Sequence, residues 1–161
     1  MIQGYLPLGS RIQQELGDLE RVVDRAEKAL SAARRNPIDQ DYYVDSAALN
    51  LHDFYAGLER VFQQIATTVD GDVPSGRDWH RELLRQMSLE IPTVRPPVLS
   101  AATIKGLDEF LRFRHVLRNI YAFSFDPERV RTLVEVLQKL FPQVKGELLD
   151  FISYVNQMGS R

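Results

Sequence analysis

Apolar residues recur along this chain at alternating steps of four and three. Ile12, Leu16, Leu19, Val23, Ala26, Leu30 and Ala33 form one such series, which predicts a single apolar stripe on a helix of about 25 residues. Asn36-Pro37 ends it, because the residue before a proline avoids helical angles. A second series, Ala47, Leu51, Phe54, Leu58, Val61, Ile65 and Thr68, predicts a second long helix. The glycine- and proline-containing run from Asp70 to Gly76 breaks the chain after it. Two long helices joined by a short loop make a helical hairpin, the seed of a bundle.

A shorter amphipathic helix is expected from about Asp78 to Leu89, with Trp79, Leu83, Leu84 and Met87 inward. Ile91 to Pro97 holds three prolines and predicts an extended connector. Ser100 is the predicted N-cap of the next helix, which is expected to end near Phe123. Asp126 is a second predicted N-cap, followed by Pro127 at the first helical position and Glu128 in the first turn. Val130, Leu133, Leu137 and Leu140 continue the pattern. Pro142 is expected to divide this last region from a final stripe of Val144, Leu148, Phe151 and Val155. With no repeat and no alternation of strand type, the expected fold is all-α, an up-and-down bundle of five to six helices in a single domain over residues 1–161.

Composition narrows the function classes. The hydrophobic fraction of 44% and charged fraction of 26% are those of a globular protein with a core of its own. The chain has no cysteine, so disulfides and thiolate metal sites are excluded. Neither a signal peptide nor an apolar run long enough to span a membrane is found, and a cytoplasmic location is expected. A net charge of −2 makes no global case for nucleic acid, so any such case rests on local charge.

That local charge lies between Arg112 and Tyr121, which holds Arg112, Arg114, Arg118, His115, Asn119 and Tyr121 and no acid. Acids flank it: Asp108 and Glu109 before, Asp126 and Glu128 after. The plainer readings are a solvated helix face with scattered arginines, or a purely structural helical dimer whose arginines pair with acids of the neighbouring copy. The sharper one is a phosphodiester site. A guanidinium offers phosphate a planar fork of donors and keeps its charge. A tyrosine can stack on a base. RNA cleavage without a metal needs a base, an acid and cations around the phosphorus. On an ideal helix Arg114, Arg118 and Tyr121 lie within about 60° of one another, while Asn119 points about 140° from Arg114. A bend, or two copies meeting across a two-fold axis, would bring them to one substrate. Phe113, Leu117 and Ile120 face the core. His115 is the candidate proton-transfer group, and His52 and His80 are assigned structural hydrogen-bonding roles.

The order Arg114, His115, Val116-Leu117-Arg118, Asn119, Ile120, Tyr121 resembles the signature of the HEPN superfamily, in particular HepT-like ribonuclease toxins of bacterial toxin–antitoxin pairs. That signature reads arginine, a polar residue, three further residues, histidine, one residue, tyrosine. The flanks are similar too, from Trp79-His80-Arg81-Glu82-Leu83-Leu84, through Arg95-Pro96-Pro97-Val98-Leu99-Ser100 and Leu107 to Phe113, to Tyr121-Ala122-Phe123-Ser124-Phe125-Asp126. The resemblance implies a symmetric homodimer whose two motifs face one cleft for single-stranded RNA or a tRNA arm. It implies cleavage that needs no cofactor or metal and leaves a 2′,3′-cyclic phosphate. The implied partner is a minimal nucleotidyltransferase antitoxin, which adds AMP to the motif tyrosine, here Tyr121. Such a modification would place bulk and negative charge in a cationic cleft.

One position departs from the signature: its histidine is Asn119 here. Asparagine hydrogen-bonds but does not shuttle protons near neutral pH. Two accounts follow. Either Arg114, Asn119 and His115 form the catalytic set, with His115 moving the proton and Arg118, Tyr121 and Arg112 contacting RNA, or the chain is a non-catalytic HEPN module that binds RNA or a partner.

Overall fold

The computed structural model describes residues 2–118 and 125–161, with Arg118 described in its backbone only. Five helices run α1 (Tyr5–Arg35), α2 (Gln40–Ile65), α3 (Trp79–Gln86), α4 (Ala101–Arg118) and α5 (Pro127–Ser160). There are no strands among the described residues, and the all-α bundle is as expected. The long helices α1, α2 and α5 pack together, α4 lies against α2 and α5, and α3 bridges α2 and α4.

Both predicted stripes are the core. Ile12, Leu16, Leu19 and Ala26 of α1 and Ala47, Leu51, Phe54, Leu58 and Val61 of α2 are buried. Helix α1 starts earlier than its stripe, at Tyr5, with Tyr5 and Leu8 also buried. Pro7 is no obstacle there, since the first turn has no intrahelical use for its N–H. Helix α2 continues into one π turn, Ala66–Asp70, which Gly71 closes at φ 71°, a left-handed value that glycine adopts without strain.

The capping expectations are met. The Ser100 hydroxyl accepts from Thr103 N–H at 3.2 Å. Glu147 of α5 completes this cap from outside: its carboxylate takes the Ser100 N–H at 2.6 Å and the Thr103 hydroxyl. A glutamate at the third helical position ordinarily closes such a box. Here α5 supplies it and so fixes where α4 begins. Asp126 accepts from Glu128 N–H at 3.1 Å, with Pro127 beginning α5.

Pro142 does not divide the last region. Helix α5 runs unbroken through it for 34 residues. A mid-helix proline forfeits one backbone hydrogen bond and crowds the carbonyl four residues back, a cost of about 3 kcal/mol. Leu137, Leu140, Phe141, Val144 and Leu148, all buried, hold the helix together across it. Pro142→Ala is therefore expected to stabilise the protein by about 1–3 kcal/mol, read as a higher urea midpoint at unchanged slope. An unchanged or lower midpoint would mean that the bundle has adapted fully to the proline.

The connector after α3 is non-helical as expected, yet it is pinched rather than extended. Ile91 and Arg95 exchange both backbone hydrogen bonds at 3.0 Å. The cause is Arg95, whose side chain turns inward and is fully buried. Its Nε and Nη2 meet Asp70 in a bidentate pair at 2.6 and 2.9 Å. Its remaining N–H groups donate to the carbonyls of Leu89 at 2.8 Å, Pro96 at 3.1 Å and Gln86 at 3.1 Å. All five guanidinium donors are thereby used. The Gln86 carbonyl at the end of α3 also accepts the Leu89 N–H at 3.1 Å, so Arg95 adds a second donor there and ties the segment after α3 to the end of the α2 π turn.

Candidate functional site

Helices α2, α3 and α4 meet at a buried polar cluster. Glu59 of α2 sits in the stripe of Tyr55 and Phe62, both fully buried. Its carboxylate bridges two donors. Oε1 accepts from Arg114 Nη1 at 2.5 Å, and Oε2 accepts from His80 Nδ1 at 2.6 Å. The three side chains are 6%, 11% and 10% exposed respectively, so this is a buried ion pair with a histidine on its flank. A carboxylate can only accept, which puts the proton of a neutral His80 ring on Nδ1 and leaves Nε2 as its acceptor. The His80 ring stacks on Trp79 at 3.5 Å between centroids and meets the His115 ring edge-on at 5.9 Å. Arg114 Nη1 lies 3.5 Å from His80 Nδ1.

The two buried arginines of the fold differ in one respect. Arg95 spends every donor, whereas Arg114 Nε is buried without a partner. A buried donor left unmade costs about 1–3 kcal/mol and is uncommon. Arg114 is held at one corner by Glu59, with donating capacity to spare. Nearby, the Tyr55 hydroxyl is also buried without a partner, and burial pushes it far above the usual tyrosine range, with the Glu59 charge adding to the effect. It keeps its proton and carries no acid–base role near neutral pH.

The candidate residues of the basic stretch separate. Arg114 is not on a solvated face; its side chain, 11% exposed, points into the cluster with His80, whereas His115 is exposed and meets the His80 ring edge-on. Arg112, about 160° away around the helix, is exposed and pairs with Asp108 at 2.9 Å and Glu109 at 3.5 Å. Phe113 is buried and Leu117 packs against the core. Arg118 ends α4, its side chain outside the described residues. Asn119 and Tyr121, with the expected helix end near Phe123, lie outside the described residues. Among the described residues no group of three or more His, Asp and Glu side chains is arranged to hold a metal, and no helix is long and apolar enough to cross a membrane.

Sequence reasoning passed over Glu59. The signal was there: a carboxylate four residues after Tyr55 and three before Phe62 stands within an apolar stripe, where an unpaired charge is not tolerated. His80 had been assigned a structural hydrogen bond; it makes one, and that bond places it beside Arg114.

A family profile described as HepT-like protein matches residues 46–155, which takes in α2 through most of α5 and every residue of this cluster. No curated protein matches. No solved structure matches.

Proposed function

This chain belongs to the HepT-like family of HEPN-type helical proteins, and on that premise we propose that it is the toxin component of a toxin–antitoxin pair, a metal-independent endoribonuclease. The observation that carries the reading is Arg114. It is a largely buried guanidinium whose Nε has no partner, anchored by a buried carboxylate and next to His80, whose ring meets the exposed His115. An arginine that served only the fold would be saturated as Arg95 is. Arg114 leaves its buried Nε unmade, a donor that a phosphate oxygen entering the cluster would satisfy.

In this mechanism the RNA 2′-hydroxyl attacks the adjacent phosphorus while a histidine takes its proton. The bond from phosphorus to the 5′-oxygen breaks, that oxygen receives a proton, and a 2′,3′-cyclic phosphate remains. Arg114 and Arg118 stabilise the charge on the phosphorane oxygens, His115 moves the proton, and Asn119 orients the reacting groups. Two motifs across a homodimer would share the cleft. A minimal nucleotidyltransferase antitoxin would silence the site by placing AMP on Tyr121.

The second reading, a non-catalytic RNA-binding module, is favoured by Asn119 standing where the signature has histidine. One experiment separates the two: RNA incubated with the purified protein in EDTA, with end-group analysis of the products. Wild type is expected to cleave and leave 2′,3′-cyclic ends, and Asn119→His to raise the rate toward the factor of about 10²–10⁴ that a positioned proton-transfer group supplies. Binding without cleavage, with cleavage appearing only in Asn119→His, would establish the second reading. Neither binding nor cleavage in either protein would overturn both.

A further inference from the structure

A concentration of accessible positive charge also lies away from Arg114. It lines a groove of about 520 Å³ between α3 and α4. Arg81 and Arg85 form one wall, Lys105 and Arg112 the other, and Leu84, Ala101 and Ile104 the floor. Two acids, Asp108 and Glu109, stand against these four cations, so the groove carries a local excess of +2 in a chain whose net charge is −2.

The acids do not cancel the site; they arrange it. Asp108 Oδ1 takes Arg81 Nη1 at 2.5 Å from one wall, and Oδ2 takes Arg112 Nε at 2.9 Å from the other. Each guanidinium keeps further N–H groups, and each remains accessible, at 33% and 58% exposure. Arg85 and Lys105 are exposed and have no ion pair among the described residues. A carboxylate that fixes two guanidiniums across a groove lowers the entropy lost when both meet an anion. The remaining two cations supply charge that nothing in the fold uses.

The groove is continuous with the buried cluster. On α4, Lys105, Asp108, Arg112 and His115 fall on one stripe about 80° wide. On α3, Arg81 is followed inward by His80. The seam therefore passes from Arg85 and Lys105, to the Arg81–Asp108 pair, to the His80–His115 ring contact. A ligand with a phosphate at Arg114 and further phosphates along its length would find its next contacts here. We propose that the α3–α4 groove is a backbone subsite for single-stranded RNA, in which Arg85, Lys105, Arg81 and Arg112 hold phosphates on one side of the phosphate at Arg114. The inference rests on the RNA-directed reading above. It assigns the recognition to charge: these contacts go to backbone phosphates, which carry no sequence information.

The test uses the full-length protein and a short fluorescein-labelled single-stranded RNA, with anisotropy titrations over a salt series. The variant is Arg85→Gln with Lys105→Gln. Both side chains are exposed and unpaired, so their loss orphans no buried acid, and circular dichroism checks the fold. Each phosphate contact on a single strand contributes about 0.7 to the slope of log affinity against log salt, so the double variant is expected to lose about 1.4 of that slope and to bind about tenfold more weakly at low salt. The loss should be the same for RNAs of different sequence. Wild-type binding with an unchanged slope in the variant overturns the groove and leaves the RNA reading standing. No RNA binding by wild type, at any salt, overturns both.

Discussion

Arg95→Met is expected to lower the stability of this protein by about 3–5 kcal/mol, the range seen when one partner of a buried ion pair is removed. Asp70, 1% exposed, would be left with a carboxylate that has lost a bidentate guanidinium and keeps only the Gln86 amide at 2.7 Å. The Leu89 and Pro96 carbonyls would lose this donor at the same time, and the Gln86 carbonyl would keep only the Leu89 N–H. A domain of this size has about 5–15 kcal/mol in total, so the loss is a large fraction of it. With a urea slope of about 2 kcal/mol/M, the midpoint falls by about 2 M. Arg95→Lys should fare little better, because three donors on a point charge cannot replace five in a planar fork. The double variant Arg95→Met, Asp70→Leu removes the orphaned charge and should recover part of the loss. It should not recover all, since the Leu89 and Pro96 carbonyls still lack the donor that Arg95 supplied. A single Arg95→Met variant within 1 kcal/mol of wild type would show that water reaches Asp70 and that Arg95 does not tie α3 down.

That tie is also where the sequence stops being legible. Features set by residues a few places apart could be read directly. The stripes of α1 and α2, the caps at Ser100 and Asp126 and the break at Asn36-Pro37 all depend on local geometry, and the structure has them. Pro142 was read by the same local rule and came out wrong, because its cost is met by apolar contacts from other helices. Arg95 was read as part of an extended connector, because a buried arginine is identifiable only by its partner, Asp70, 25 residues earlier. The basic stretch was legible as chemistry but not as geometry. Arg112 and Arg114 are two residues apart, yet one looks out over the α3–α4 groove and the other into the bundle. The partner that decides this is Glu59, 55 residues before Arg114. It follows that a motif read from sequence names residue types, while helix packing decides which of them meet.

Arg114→Ala, the obvious test of the site, is expected to abolish activity for two reasons at once. It removes the cation proposed to stabilise the phosphorane, a contribution of about 10²–10³ in rate for a single well-placed donor. It also leaves Glu59 buried with His80 as its remaining partner, at a cost of up to about 3–5 kcal/mol, somewhat less because Arg114 is 11% exposed. Inactivity of this variant would therefore not distinguish a functional arginine from a structural one. The pair has to be changed together. Arg114→Met with Glu59→Leu replaces two charges by side chains of similar length, fills the same space among Tyr55, Phe62 and the α4 core, and buries no uncompensated ion, leaving the His80 Nδ1–H without its acceptor. Its stability, read from urea unfolding, is expected to return to within about 1–3 kcal/mol of wild type, the remainder being the orphaned His80 donor. Its RNA cleavage, or its RNA affinity if the protein only binds, should stay as low as that of Arg114→Ala. Stability recovered without activity identifies the Arg114–Glu59 pair as serving the site and not the fold alone. Activity recovered along with stability would place Arg114 beside Arg95, as a residue that serves the fold alone.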